Sequence, residues 1–165
     1  MIKIHKPKIP IRPIVSFCGS PTYQQSKYLA NVLKPLTDES GHKLQSAENF
    51  TDAIQDDTDH KLVSVDVKSL FTSIPLQLAP GCTENAIKNS TVELPLPTDD
   101  ITDLLNFCLT STYFQCNGNH YKQLHGTVMG SPVSVVVAEI VMQNIKEQAL
   151  GTYTRTIPRL SLIHI

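Results

Sequence analysis

Residues Lys61 to Pro75 read KLVSVDVKSLFTSIP. The β-branched run Leu62-Val63-Ser64-Val65 predicts a short strand, and its weak alternation suits a buried position. That strand delivers one carboxylate, Asp66, at its carboxyl end. Open sheets bind ligands beyond the carboxyl ends of their strands, so a catalytic acid would be useful there. A carboxylate is also a hard oxygen donor that suits a divalent cation. A strand-end aspartate that only capped the next turn would leave the same trace. Pro75 closes the segment, because proline cannot continue a central strand.

Working outward, the acidic run Asp56, Asp57, Asp59 just before this stretch reads as a solvated turn. It lacks the glycine and closing glutamate of a calcium loop. Ser46 is the predicted N-cap of a helix carrying Phe50 and Ile54 on one face, and Thr37 to Leu44 reads as a loop. Ahead of that loop, Gly19-Ser20-Pro21 predicts a helix start, with Ser20 as N-cap and Pro21 at the first position. The helix is expected to reach about Leu33 and stop at Pro35, with Tyr28, Leu29, Val32, Leu33 and Leu36 as its apolar face. Ile11 to Phe17 reads as a strand. The segment before it is basic, with Lys3, Lys6, Lys8 and Arg12, and is broken by Pro7, Pro10 and Pro13.

Beyond Pro75, Pro80 and Gly81 oppose an early helix: either a helix starts late there, near Thr83, or the sequence is damaged. Leu94 to Pro97 is extended, and Thr98 is the expected N-cap of a helix from Asp99 to about Thr110. Ile101, Leu104, Leu105, Cys108 and Leu109 form its buried face. Tyr113-Phe114-Gln115-Cys116 and His120-Tyr121-Lys122-Gln123 flank Asn117-Gly118-Asn119, a strong hairpin signal. The hairpin leads into Gly126-Thr127-Val128-Met129-Gly130-Ser131-Pro132. Its two glycines permit close backbone approach to a ligand. Ser131 is the expected N-cap of a helix whose Val133, Val136, Val137, Ile140 and Val141 pack inward.

At 165 residues the chain can form one domain with a sizeable core. Its 41% hydrophobic and 18% charged residues are ordinary for a globular protein. No apolar run is long enough to span a membrane, and Met1 to Lys6 lacks the apolar core of a signal peptide. The four cysteines, Cys18, Cys82, Cys108 and Cys116, contain no C-x-x-C pair, which argues against a zinc site and a disulfide framework. An intracellular protein is expected. The net charge of −1 gives no electrostatic sign of a nucleic-acid partner.

Three ordered blocks carry a family resemblance. Lys61 to Pro75 resembles motif A of reverse transcriptases. YKQLHGTVMGSPVSVVVAEIVM, Tyr121 to Met142, resembles motif B, and KIHKPKIPIRPIVSFCGSPTYQQSKYLANVLKPL, Lys3 to Leu36, resembles the basic fingers segment. In order and wording they are most similar to the reverse transcriptases of Penelope-like retroelements. The resemblance covers the chain to about Leu150. It implies an α+β fragment of the right-hand polymerase, fingers and palm over 1–150, with a small antiparallel sheet packed against helices. Residues 151–165 have no counterpart and are expected to be loosely packed.

The resemblance also implies the site. Asp66 would be the catalytic metal ligand, with the Val67 carbonyl completing a shell of Mg²⁺, two ions serving the intact parent. Arg12 would contact the incoming deoxynucleoside triphosphate. Phe71 would be the gate that crowds a ribose 2′-hydroxyl, and Met129, Gly130 and Ser131 would line the nucleotide pocket. Lys6, Lys8 and Gly126 would meet the RNA template and DNA primer. A nuclear location follows from the same resemblance.

The chain also departs from the family. No aspartate follows Asp103, so the Asp-Asp box of motif C is missing. Met129 stands where many relatives have Gln, and Val135 replaces the second proline of S-P-x-S-P. The chain is therefore expected to be inactive by itself, because one carboxylate does not hold two ions well. Two other readings stay open: a nucleic-acid-binding remnant without catalysis, and a domesticated interaction domain.

Overall fold

Five helices and one β-hairpin make up the described part of the chain, residues 16–38 and 67–152 of a computed structural model. Helix α1 spans Tyr23–Asp38, α2 is the single turn Leu70–Ser73, α3 spans Leu78–Asn89 and α4 spans Thr98–Thr110. Strands β1 (Tyr113–Cys116) and β2 (Asn119–Lys122) follow, then α5 (Pro132–Gly151). The long helices form the body: α1 packs on α4 and α5, and α3 packs on the same two. Their shared core holds Leu29, Leu33, Leu105 and Val137 at 0% exposure, so the central packing is helix on helix.

The chain enters α1 through a turn in which Ser20 N–H donates to the Phe17 carbonyl at 3.1 Å. The helix then begins at Tyr23, two residues later than expected, and the Ser20 hydroxyl caps nothing. Nor does α1 stop at Pro35, but continues to Asp38. The proline removes the N–H that would have bonded the Asn31 carbonyl and crowds that carbonyl with its ring. Beyond it Leu36 and Thr37 are both buried, and the Thr37 hydroxyl donates to the Lys34 carbonyl at 2.8 Å. Packing therefore outweighs one lost bond. Leu29, Val32, Leu33 and Leu36 form the inner face as expected, whereas Tyr28 points outward at 46% exposure.

Helix α3 likewise begins at Leu78 rather than near Thr83. Pro80 and Gly81 lie in its first turn, where backbone N–H groups have no intrahelical acceptor, so the proline costs no bond. Helix α4 starts at Thr98, one residue early, with Pro97 as N-cap and its carbonyl accepting from Ile101 N–H at 3.1 Å. Its buried face is Ile101, Leu105, Cys108 and Leu109, with Leu104 half-buried. Burial pushes the thiol pKa of both Cys82 and Cys108 up.

The hairpin is as the Asn-Gly pair predicts. Asn117 and Gly118 both take positive φ, +50° and +79°, the requirement of a two-residue type I′ turn. Tyr113 pairs with Lys122, Phe114 with Tyr121, Gln115 with His120 and Cys116 with Asn119. The mix of helices and a small antiparallel sheet is that of an α+β fold, but among the described residues the hairpin packs on no helix extensively. All eight strand residues are exposed except half-buried Phe114, so the hairpin contributes nothing to the core formed by the described residues. The predicted strands Leu62–Val65 and Ile11–Val15, the Ser46 helix and residues 153–165 lie outside the described residues. Ser16 and Phe17, the end of the second of those strands, are not in a strand.

Candidate functional site

The segment after Asp66 turns sharply. Ser69 sits in the left-handed region at φ +57°, uncommon for a residue with a side chain, and redirects the chain into α2. The Thr72 hydroxyl donates to the Ser69 carbonyl at 3.1 Å and closes that turn. Ile74, 4% exposed, then anchors the segment in the core, with Leu70 and Phe71 half-buried against the same cluster.

The Gly126 turn arrives from the base of the hairpin. There Gln123 N–H donates to the Thr112 carbonyl at 3.0 Å. Its side-chain amide donates to the carbonyls of His125 at 2.8 Å and Gly126 at 3.2 Å. The turn therefore has its own internal bracing. Thr127 and Val128 are buried behind it, Gly130 is exposed at φ +118°, and Ser131 N–H donates back to the Val128 carbonyl at 3.3 Å. Pro132 then begins α5 as expected. Ser131 holds the N-cap position, but its buried hydroxyl has no bond partner.

These two segments meet. The Phe71 carbonyl accepts from the Thr127 N–H at 2.7 Å and from the Thr127 hydroxyl at 3.2 Å, across 56 positions of sequence. Gly126 lies flat against the same backbone. A Cβ built there would fall 2.5 Å from Thr72 Cα and 2.7 Å from the Phe71 oxygen, and its φ is +70°. The close approach expected of Gly126 is thus to the chain's own backbone, because Phe71–Thr72 occupies the space a side chain would need.

Of the residues singled out in the sequence, Phe71 and Gly126 are brought into contact. Val67 is exposed, Met129 half-buried and Ser131 buried. Asp66, Arg12, Lys6 and Lys8 lie outside the described residues. Thr127, Gln123 and Thr112 were missed. The Thr112 and Thr127 hydroxyls bond carbonyls 11 and 56 positions away, which no local pattern pairs with them, whereas the Gln123 amide bonds carbonyls only two and three residues on. Among the described residues no three His, Cys, Asp or Glu side chains gather as a metal site. Of the expected magnesium ligands, only Val67 is described, and its carbonyl is a hard oxygen of the type magnesium takes. No helix among the described residues is long and apolar enough to cross a membrane. No protein-family model matches the chain, and no curated protein does.

Proposed function

We propose that the chain is the fingers–palm portion of a reverse transcriptase of the Penelope-like kind, built for RNA-templated addition of deoxynucleotides to a primer. The observation that supports this best is the junction just described. It joins the motif A-like block to the motif B-like block through the Phe71 carbonyl, Thr127 and Gly126. A polymerase site needs those two blocks side by side, one bringing the catalytic carboxylate and the other the floor under the nucleotide.

In this reading Asp66 and the Val67 carbonyl would hold magnesium, which would neutralise charge on the attacking and leaving oxygens. The chain's own residues supply position. Phe71 packs partly against the core and its carbonyl is bonded to Thr127, which holds its backbone in place; its exposed part would crowd a ribose 2′-hydroxyl. Gly126 lets the floor approach that backbone without a side chain between them. Arg12 pairs with the triphosphate as a planar guanidinium does with phosphate oxygens.

The test is primer extension on an RNA template with magnesium. The 165-residue chain by itself should give no extension. Fused to a downstream palm segment bearing an Asp-Asp box, it should give synthesis that Asp66→Asn abolishes, since the amide keeps the shape and loses the charge. Synthesis that survives Asp66→Asn would overturn the assignment.

A further inference from the structure

The hairpin is an exposed element that the polymerase reading leaves without a task. Its register sorts its side chains onto two faces, because directly paired residues share a face and successive ones alternate. Tyr113, Lys122, Gln115 and His120 share one face; Phe114, Tyr121, Cys116 and Asn119 share the other. On the second face Phe114 is half-buried and stacks on Tyr121, with ring centroids 5.5 Å apart and planes 20° from parallel. That stack ties the two strands to each other and partly covers the second face. All four residues of the first face are exposed, Tyr113 at 55%.

We propose that the Tyr113–Lys122–Gln115–His120 face binds single-stranded nucleic acid, with a base stacking on Tyr113 and its phosphate meeting Lys122. The choice of ligand rests on the reading given above, but the observations are separate from it. Charge complementarity points to a polyanion. No Asp or Glu occurs between Asp103 and Glu139, and Lys122 is the one lysine or arginine in that span. Its Nζ lies 5.5 Å from the Tyr113 ring centroid, so cation and ring are presented together. An exposed aromatic beside a cation is the minimal unit of strand binding: the ring takes any base, and the cation takes the backbone. A duplex offers no free base face to the ring, so a single strand is the better fit.

The 165-residue chain has five tyrosines and no tryptophan, so tyrosine emission reports binding, and the part of the quench lost in Tyr113→Ala reports stacking on that ring. The probes are short oligo(U) and oligo(dT), with a blunt duplex as comparison. Both single strands should quench the emission and bind more tightly than the duplex. Tyr113→Ala should weaken binding by about five- to a hundredfold, the loss of one stacked base. Lys122→Gln should flatten the dependence of log affinity on log salt by about 0.7, one phosphate contact on a single strand. Asn119→Ala, one residue from His120 but on the opposite face, should leave the affinity near that of the parent. Circular dichroism checks that each variant folds.

Absence of binding, a Tyr113→Ala chain that binds equally well, or an Asn119→Ala loss matching that of Tyr113→Ala would each overturn the proposal. So would a concentration-dependent dimer lost in Tyr113→Ala without oligonucleotide binding, which would assign the face to a second copy of the chain. The two readings fail separately. Synthesis by the Asp-Asp-box fusion together with hairpin-independent binding removes only this inference. Hairpin-dependent binding with a fusion that never extends a primer removes only the polymerase reading.

Discussion

Gly126→Ala tests the junction directly. The backbone there is at φ +70°, so any L side chain is strained by about 1–2 kcal/mol. The added methyl would also fall within 2.7 Å of three backbone atoms of Phe71 and Thr72. Backbone cannot rotate away as a flexible side chain can, and forcing a methylene into filled space costs about 1–3 kcal/mol. Together the loss is about 2–5 kcal/mol, a large share of the roughly 5–15 kcal/mol that holds a domain folded. The matched comparison is Gly118→Ala, at φ +79° but with nothing within 4 Å of the new Cβ. It carries the strain without the overlap and should cost about 1–2 kcal/mol. Urea unfolding followed by circular dichroism measures both, with the Gly126→Ala midpoint falling by about 1–2 M. Equal losses at the two glycines would refute the argument that Gly126 is required by the Phe71–Thr72 backbone.

Other expectations follow from single features. Thr127→Val should cost about 1 kcal/mol in the same assay, since it removes the hydroxyl bond to the Phe71 carbonyl and keeps the N–H bond. Ser134→Ala should be neutral or stabilising by up to about 1 kcal/mol, because the buried hydroxyl it removes has no partner; a clear loss would contradict this. Pro35→Ala should stabilise by about 1–3 kcal/mol by restoring a donor inside α1, and an unchanged urea midpoint would show that the proline costs nothing there. Lys146 is 5% exposed, and burial pushes its pKa below the usual 10.5, with Glu139 opposing the shift. Well below the lowered value both states hold the proton and the penalty is constant. Between that value and 10.5 the unfolded chain holds a proton that the folded chain has lost, so this group's contribution to stability rises with pH. The raised thiols of Cys82 and Cys108 pull the other way at alkaline pH, so the quantity to measure is a difference: across that window the parent's unfolding midpoints should rise relative to those of Lys146→Met, and a constant difference would contradict this.

Much of the fold is decided locally, and those parts are legible in the sequence. The Asn117-Gly118 pair dictates its turn because only a few residue types accept positive φ, and two in succession select one hairpin geometry. The α4 face follows from helical period alone, and the α5 start from Pro132, whose fixed φ and missing donor suit a first turn. Local signals failed where tertiary packing outweighed them. Pro35 reads as a stop, yet α1 passes through it to bury Leu36 and Thr37. Pro80 and Gly81 read as breakers, yet α3 places them where its backbone donors are spare and buries Ala79 and Cys82 around them. In the candidate site, the residue types at Phe71, Gly126 and Ser131 were open to reading, but not which of them would touch. That Gly126 must be bare because Phe71 and Thr72 lie against it was decided only when the chain folded. So was the pairing of Thr127 with a carbonyl 56 positions away. A contact between distant segments depends on every helix that packs between them, and no local window of sequence contains that information.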